Sequence, residues 1–314
     1  MTGRTPPRPE GQAAPPPVVQ RLLVRYAKRG RMRFASHRDI ARAVERGVRR
    51  AGLPIAYSAG FTPHPKISYA GAAPTGTASE AEYLELSLTE ACAVGDVRDG
   101  LDAALPDGID VIDVTEEAGS LGANAAEASQ WEVVLPGVGP EQAAMAVEAF
   151  LATDTLEVER LTSKGLRRMD ARAAVVTMET DRRAVDERNA GYAILRMVVR
   201  HMTPAVRPDD ILAALRRVAD LAPSSPPLVT RLAQGPLAVM TASAAEAHVQ
   251  GLAQGQIETT RPGALTVHET GTLPASAYDQ LLRGAAGSLR THAPGSLTGD
   301  SPDARNRAER FTAE

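Results

Sequence analysis

Apolar residues change their spacing several times along the chain, and each change marks an element. Val18–Tyr26 (VVQRLLVRY) reads as a strand centred on Leu23 and Val24. In Ser36–Ala51, Ile40, Val44 and Val48 recur every four residues, which gives a helix one apolar stripe. Ser36 suits its N-cap, with Asp39 at the capping-box distance, and Gly52 and Pro54 stop it. Lys66–Ala72 and Glu82–Leu88 read as strands, the second with period-two alternation. Val94–Leu105 reads as a helix through Val97, Leu101 and Leu105, and Ile109–Val114 as an alternating strand. The order is β-α-β-β-α-β, the ferredoxin-like pattern.

The same order then returns. Gln130–Leu135 is a strand, and Glu141–Leu151 a helix with Ala143, Val147, Phe150 and Leu151 at helical spacing. Leu156–Leu161, Ala173–Glu179 and Tyr192–Val199 are strands, one more than the pattern needs. Pro208 leads a helix over Asp209–Leu221, with Asp209 and Asp210 in the first turn where the helix dipole favours acids, and Leu228–Leu232 closes the set. The halves share no detectable sequence identity. The expectation is an α+β chain of tandem ferredoxin-like halves, residues 18–125 and 126–235, with a single larger mixed sheet as the alternative. Residues 1–17 are a Pro-rich lead-in expected to be disordered. Residues 236–314 are a low-complexity, mostly disordered tail, with one short helix expected in Ser276–Ala285.

Composition narrows the chemistry. Of 314 residues, 43% are hydrophobic and only 4% aromatic, so Ala, Val and Leu must fill the core and an aromatic-rich stacking platform is not expected. The single cysteine, Cys92, excludes an internal disulfide and a thiolate-rich zinc or iron–sulfur site built by this chain alone. That fits a cytoplasmic protein. There is no signal-peptide pattern and no apolar run of about 18 residues, so no membrane association is expected. The net charge of −3 conceals a division: residues 1–75 carry 14 Lys and Arg against three acids, and residues 76–132 one Arg against 14 acids. Such blocks suggest one polyanion-facing surface and one that is not.

The first helix bears the sharpest signal. Arg38, Arg42, Arg46, Arg49 and Arg50 stripe the face opposite Ile40 and Val48. Like charges at this spacing repel by a few tenths of a kcal/mol per pair, a cost of about the size that phosphate contacts would offset. Arg33, in the basic turn Lys28–Arg33, and Lys66 extend the row, and Lys164, Arg167 and Arg168 form a basic hairpin-like connection in the second half. The alternative is a solvated face neutralised by the acidic block. Pro63 and Pro65 restrict the loop that carries His64, and His37 opens the Arg-rich helix. If both imidazoles lie near the start of that helix, like charge from Arg33 and Lys66 disfavours their protonation, which suits general acid–base work. The alternative is that both histidines are structural. Cys92, at the start of a helix, is a weak candidate nucleophile. No HxxxH, CxxC or glycine-rich phosphate loop is present, so neither metal nor cofactor is expected.

Four segments in order carry a resemblance: Arg33–Asp39 (RFASHRD), Arg49–Pro54 (RRAGLP), Gly60–Lys66 (GFTPHPK) and Ser79–Tyr83 (SEAEY). Over about residues 19–230 the chain resembles the radical SAM-linked domain family, whose members stand alone or extend B12-binding radical SAM proteins. The resemblance implies a stand-alone B12-binding radical SAM protein as partner, and it supplies no reaction and no catalytic residues. The chain lacks a CxxxCxxC motif and is therefore not itself the radical enzyme. The leading expectation is a non-catalytic accessory protein that recognises RNA or a ribonucleoprotein for that partner. An RNA-processing or RNA-modifying enzyme using His37 or His64, and a structural protein-interaction domain, stand as alternatives.

Overall fold

The computed structural model describes residues 15–59, 61–116, 126–162, 165–181, 191–242 and 244, all within one compact unit, residues 1–270. Nearly all of both expected tails, including the helix expected in Ser276–Ala285, lies outside the described residues. The first half runs β1 (Gln20–Lys28), a 3-10 turn (Gly30–Phe34), α1 (His37–Arg50), β2 (Ile67–Ala70), β3 (Ala78–Leu88), α2 (Val94–Ala104) and β4 (Ile109–Glu116). The second runs β5 (Ala128–Pro136), α3 (Pro140–Leu151), β6 (Glu157–Thr162), β7 (Gly165–Asp170), α4 (Ala171–Ala174), β8 (Val175–Asp181), β9 (Tyr192–Arg200), α5 (Pro208–Ala219) and β10 (Leu228–Gly235).

The fold is α+β. Eight strands form one sheet in the order β4-β1-β3-β10-β5-β9-β8, with β2 also paired to β3. Within it, β4-β1-β3-β2 and β10-β5-β9-β8 are each antiparallel throughout and follow the same connectivity, a split β-α-β interleaved with its repeat. The two expectations, tandem halves and one mixed sheet, therefore describe the same molecule. The strand in excess is half of a separate two-stranded sheet, β6-β7, inserted between α3 and β8. Residues 165–168 of the expected basic connection thus belong to strand β7, and the strand expected over Ala173–Glu179 begins at Val175, after the short helix α4. Asp170 accepts from the backbone N–H groups of Arg172 and Ala173, which caps that turn.

Two cores sit under the helices. Leu22, Val24, Leu84, Leu86 and Leu88 meet Ile40, Val44, Val48, Val97 and Leu101, while Trp131, Val133, Leu135, Leu195 and Met197 meet Val147, Phe150, Ile211 and Leu215. Directly paired residues share a sheet face. Arg231 pairs with both Ser79 and Trp131, and Ser79 pairs with Lys28 across a register shift that keeps them on the face of Tyr26 and Glu82. Both helix pairs accordingly cover the same face. The opposite face takes the chain beyond β10, where residues 237–242 are helical and Met240 is buried against Ala128 and Val198.

Between the helix pairs the two halves meet through β3 and β10, whose parallel pairing is limited to Thr230↔Ala78 and Arg231↔Ser79. Charge reinforces this short seam. Arg231 Nη2 lies 2.5 Å from Glu82 Oε1, with side chains 4% and 3% exposed. Its Nε donates to Ser79 Oγ at 3.3 Å, and its Cζ lies 5.7 Å from the Trp131 ring centre. Gln234 Nε2 donates to the Ala81 carbonyl at 2.6 Å. Ala73 N–H donates to the Glu82 carboxylate, and buried Lys28 Nζ donates to the carbonyls of Ala73 and Pro74. Gly71, at φ +53°, lets this loop reach Gln234: a Cβ there would stand 2.5 Å from Gln234 Oε1.

A buried ion pair gains little over apolar packing, but removing one partner strands the other charge. Arg231→Met is expected to cost about 3–5 kcal/mol of unfolding free energy. Glu82→Leu added to it should restore part of that loss. Urea unfolding of both single variants and the double variant checks this, and a double variant as unstable as the sum of both single changes would contradict it.

Candidate nucleic-acid interface

The exposed face of α1 follows from its local sequence. Ser36 Oγ accepts from Asp39 N–H at 3.3 Å and donates to Asp39 Oδ2 at 2.6 Å, fixing the first turn. Asp39's carboxyl is held below the usual carboxylate range, first by that hydroxyl and then by the charges of Arg42 and Arg38. Ile40, Ala43, Val44, Gly47 and Val48 are buried. Gly47 lies against α2 so closely that a Cβ would meet Leu105 Cδ2 at 2.9 Å. With this stripe inward, Arg38, Arg42, Arg46, Arg49 and Arg50 are all exposed. Arg49 donates to the Glu45 carbonyl and Arg50 to the Ala104 carbonyl. Arg38, Arg42 and Arg46 make no hydrogen bond or salt bridge with any described residue.

Among the described residues, no acid of residues 76–132 forms a salt bridge with that row, and four of these acids pair elsewhere. Glu80 and Asp110 both engage Arg29, Glu82 engages Arg231, and Glu85 engages Arg21. Glu45, within α1, is half-buried and acts on Tyr69, whose hydroxyl is pushed up first by burial and then by that charge. Glu80, Glu82, Glu85 and Asp110 thus balance Arg21, Arg29 and Arg231, and the α1 arginines are exposed without a salt bridge to a described residue.

The remaining predicted residues distribute as follows. Arg33 sits in the turn before α1, half-buried, with its guanidinium carbon 4.6 Å from the Phe34 ring centre. His37 packs edge-on against Tyr69 of β2, ring centres 5.1 Å apart. His64 is exposed in the loop before β2, where its N–H donates to Ser58 Oγ and its carbonyl accepts from Ser58 N–H. No hydrogen bond or ring contact joins the two histidines. Lys66 is exposed at the end of that loop. Arg167 and Arg168 are exposed on β7, where Arg168 pairs with Glu159 at 2.8 Å, and Lys164 lies outside the described residues. The hairpin is tied to α5 through Arg160 and Asp210, so these arginines belong to the second half and not to the α1 row. Cys92 precedes the N-cap of α2, Ala93, and is half-buried. Among the described residues, no group of three or more His, Cys, Asp or Glu is placed to hold a metal ion. No helix among them is long and apolar enough to cross a membrane.

The profile of a family described as uncharacterised proteins conserved in bacteria (DUF2344) matches residues 21–208. The chain belongs to that family. The match runs from β1 to the first residue of α5, so it contains the α1 row and Glu82, while Arg231 lies beyond it. No curated protein matches the chain.

Sequence reasoning missed the polar groups of the sheet, and also His201, exposed just beyond the end of β9. Its Nδ1 lies 2.6 Å from the Ala126 carbonyl, which only accepts, so Nδ1 carries the proton. In the neutral ring Nε2 then accepts from Ser129 Oγ at 2.7 Å. Burial pushes its pKa down, the Ala126 carbonyl opposes this, and Arg231 adds to the depression. A depressed folded pKa means that the unfolded chain binds the proton first, so stability is full above the ordinary His value, about 6.5, and falls as pH drops through it. The midpoint of thermal unfolding is expected to fall between pH 7 and 5 more in the parent than in His201→Asn, as calorimetry at each pH would show.

Proposed function

We propose that the chain is a non-catalytic accessory protein that presents RNA or a ribonucleoprotein to a separately encoded radical SAM enzyme. The observation that supports nucleic-acid contact is the α1 row of exposed arginines, none of which forms a salt bridge with a described residue. Arg forks match phosphate oxygens bidentately, and counterion release on binding favours such a row. The link to a radical SAM partner rests on the four sequence segments that resemble the radical SAM-linked family, three of which lie in the 3-10 turn, α1 and the loop to β2. On this reading the cell context is cytoplasmic.

Arg42→Glu with Arg46→Glu should weaken RNA binding and lower its salt slope by about 0.7–0.9 for each phosphate that the arginines no longer neutralise. Filter binding at several salt concentrations tests this, and an unchanged slope would contradict it. The partner should be a B12-binding radical SAM protein of the same genome, joined through a contact of about 1,200–2,000 Å². Failure to co-purify with it in both apo and cluster-loaded states would remove that half of the proposal. RNA turnover by the chain alone, lost in His37→Gln or His64→Gln with binding retained, would replace the accessory reading with the enzymatic one.

A further inference from the structure

We propose that Phe34 is a stacking platform for one unpaired base, so that the α1 surface takes single-stranded RNA rather than duplex. This inference rests on the reading of α1 as a polyanion surface and names the form of RNA it accepts. Phe34 ends the 3-10 turn and is 60% exposed, a large apolar ring held out to solvent. Its position is set by ordered backbone on both sides. Ala35 N–H donates to the Met32 carbonyl, and Gly76 N–H donates to the Arg33 carbonyl, tying the turn to the loop before β3.

Arg33 supplies the second observation. Its guanidinium lies over the Phe34 ring at 4.6 Å, and its Nε is buried without a hydrogen-bond partner. None of its donors is used by a described residue. Nε is closed to an incoming group, and Nη1 and Nη2, which no described residue engages, are the donors left for a phosphate. Arg31 and Arg38, three residues before Phe34 and four after it, are exposed as well. An aromatic face beside Arg forks matches a nucleotide's two parts: a π-face to stack and a phosphate to bind. In a duplex each base is already stacked and paired, and an A-form helix offers phosphates and 2′-hydroxyls but no free base face. Phe34 therefore adds affinity only for an unpaired base. An acidic protein segment would gain from the arginines and not from the ring.

The test compares Phe34→Leu and Phe34→Tyr with the parent, using a single-stranded RNA oligonucleotide carrying 2-aminopurine and a blunt duplex of the same sequence. Phe34→Leu should bind the single strand roughly 5- to 150-fold more weakly, the weight of one stacked base. Its duplex affinity and its salt slope should not change, because every phosphate contact is kept. Phe34→Tyr should restore binding, and 2-aminopurine fluorescence should be quenched by the parent and by Phe34→Tyr but not by Phe34→Leu. Parent-like single-strand affinity in Phe34→Leu, or an equal loss on both RNAs, would overturn the platform while leaving the α1 reading intact. A parent that binds neither RNA with a salt-dependent affinity would overturn both.

Discussion

The Arg231–Glu82 pair joins residues 149 positions apart, and the arrangement of the sheet depends on it. Each half has its own core, its own strand order and its own helix pair. Among the described residues, strand pairing joins them over a two-residue parallel contact. Buried charge at that contact has strict geometric requirements. Glu82 must meet Arg231 and the Ala73 N–H, and Lys28 must meet the carbonyls of the same loop. Few placements of one half against the other satisfy all of these at once. The ion pair adds little stability over apolar contact, yet it discriminates strongly against a slipped register, in which either charge would be buried alone.

The same constraint organises the surface. The first quarter of the chain is rich in cations, and the stretch that follows is rich in acids. Folding places Glu80, Glu82, Glu85 and Asp110 beside Arg21, Arg29 and Arg231, on strands, and leaves the α1 arginines outside that pairing. Carboxylates that the sheet has already used are not available to the α1 row, and that separation connects the core to the proposed function.

Much of this is legible in the sequence where local physics decides. The α1 stripe, the Ser36 cap and the repeated element order all follow from spacing and capping chemistry. The seam does not, because it depends on contacts between distant strands. A signal exists. Glu82 has the same parity as Leu84, Leu86 and Leu88, and Lys28 the same parity as Leu22, Val24 and Tyr26, so each falls on a core-facing position and calls for a partner. The partner's identity is set by the β3–β10 pairing, which no local pattern contains. Strand β7 reads as a connection in the sequence because Arg167 and Arg168 are exposed, and a two-stranded hairpin off the main sheet needs little apolar alternation. Phe34 escapes notice for a compositional reason. A scarcity of aromatics limits how many platforms can exist, not whether one is held outward beside an arginine.

Photo-crosslinking of bound RNA, with mass-spectrometric mapping of the attached peptides, would locate the proposed contact at α1 and the turn before it. Adducts are expected largely within residues 30–50. Adducts concentrated instead on the β6-β7 hairpin, or on the sheet face opposite the helices, would contradict it.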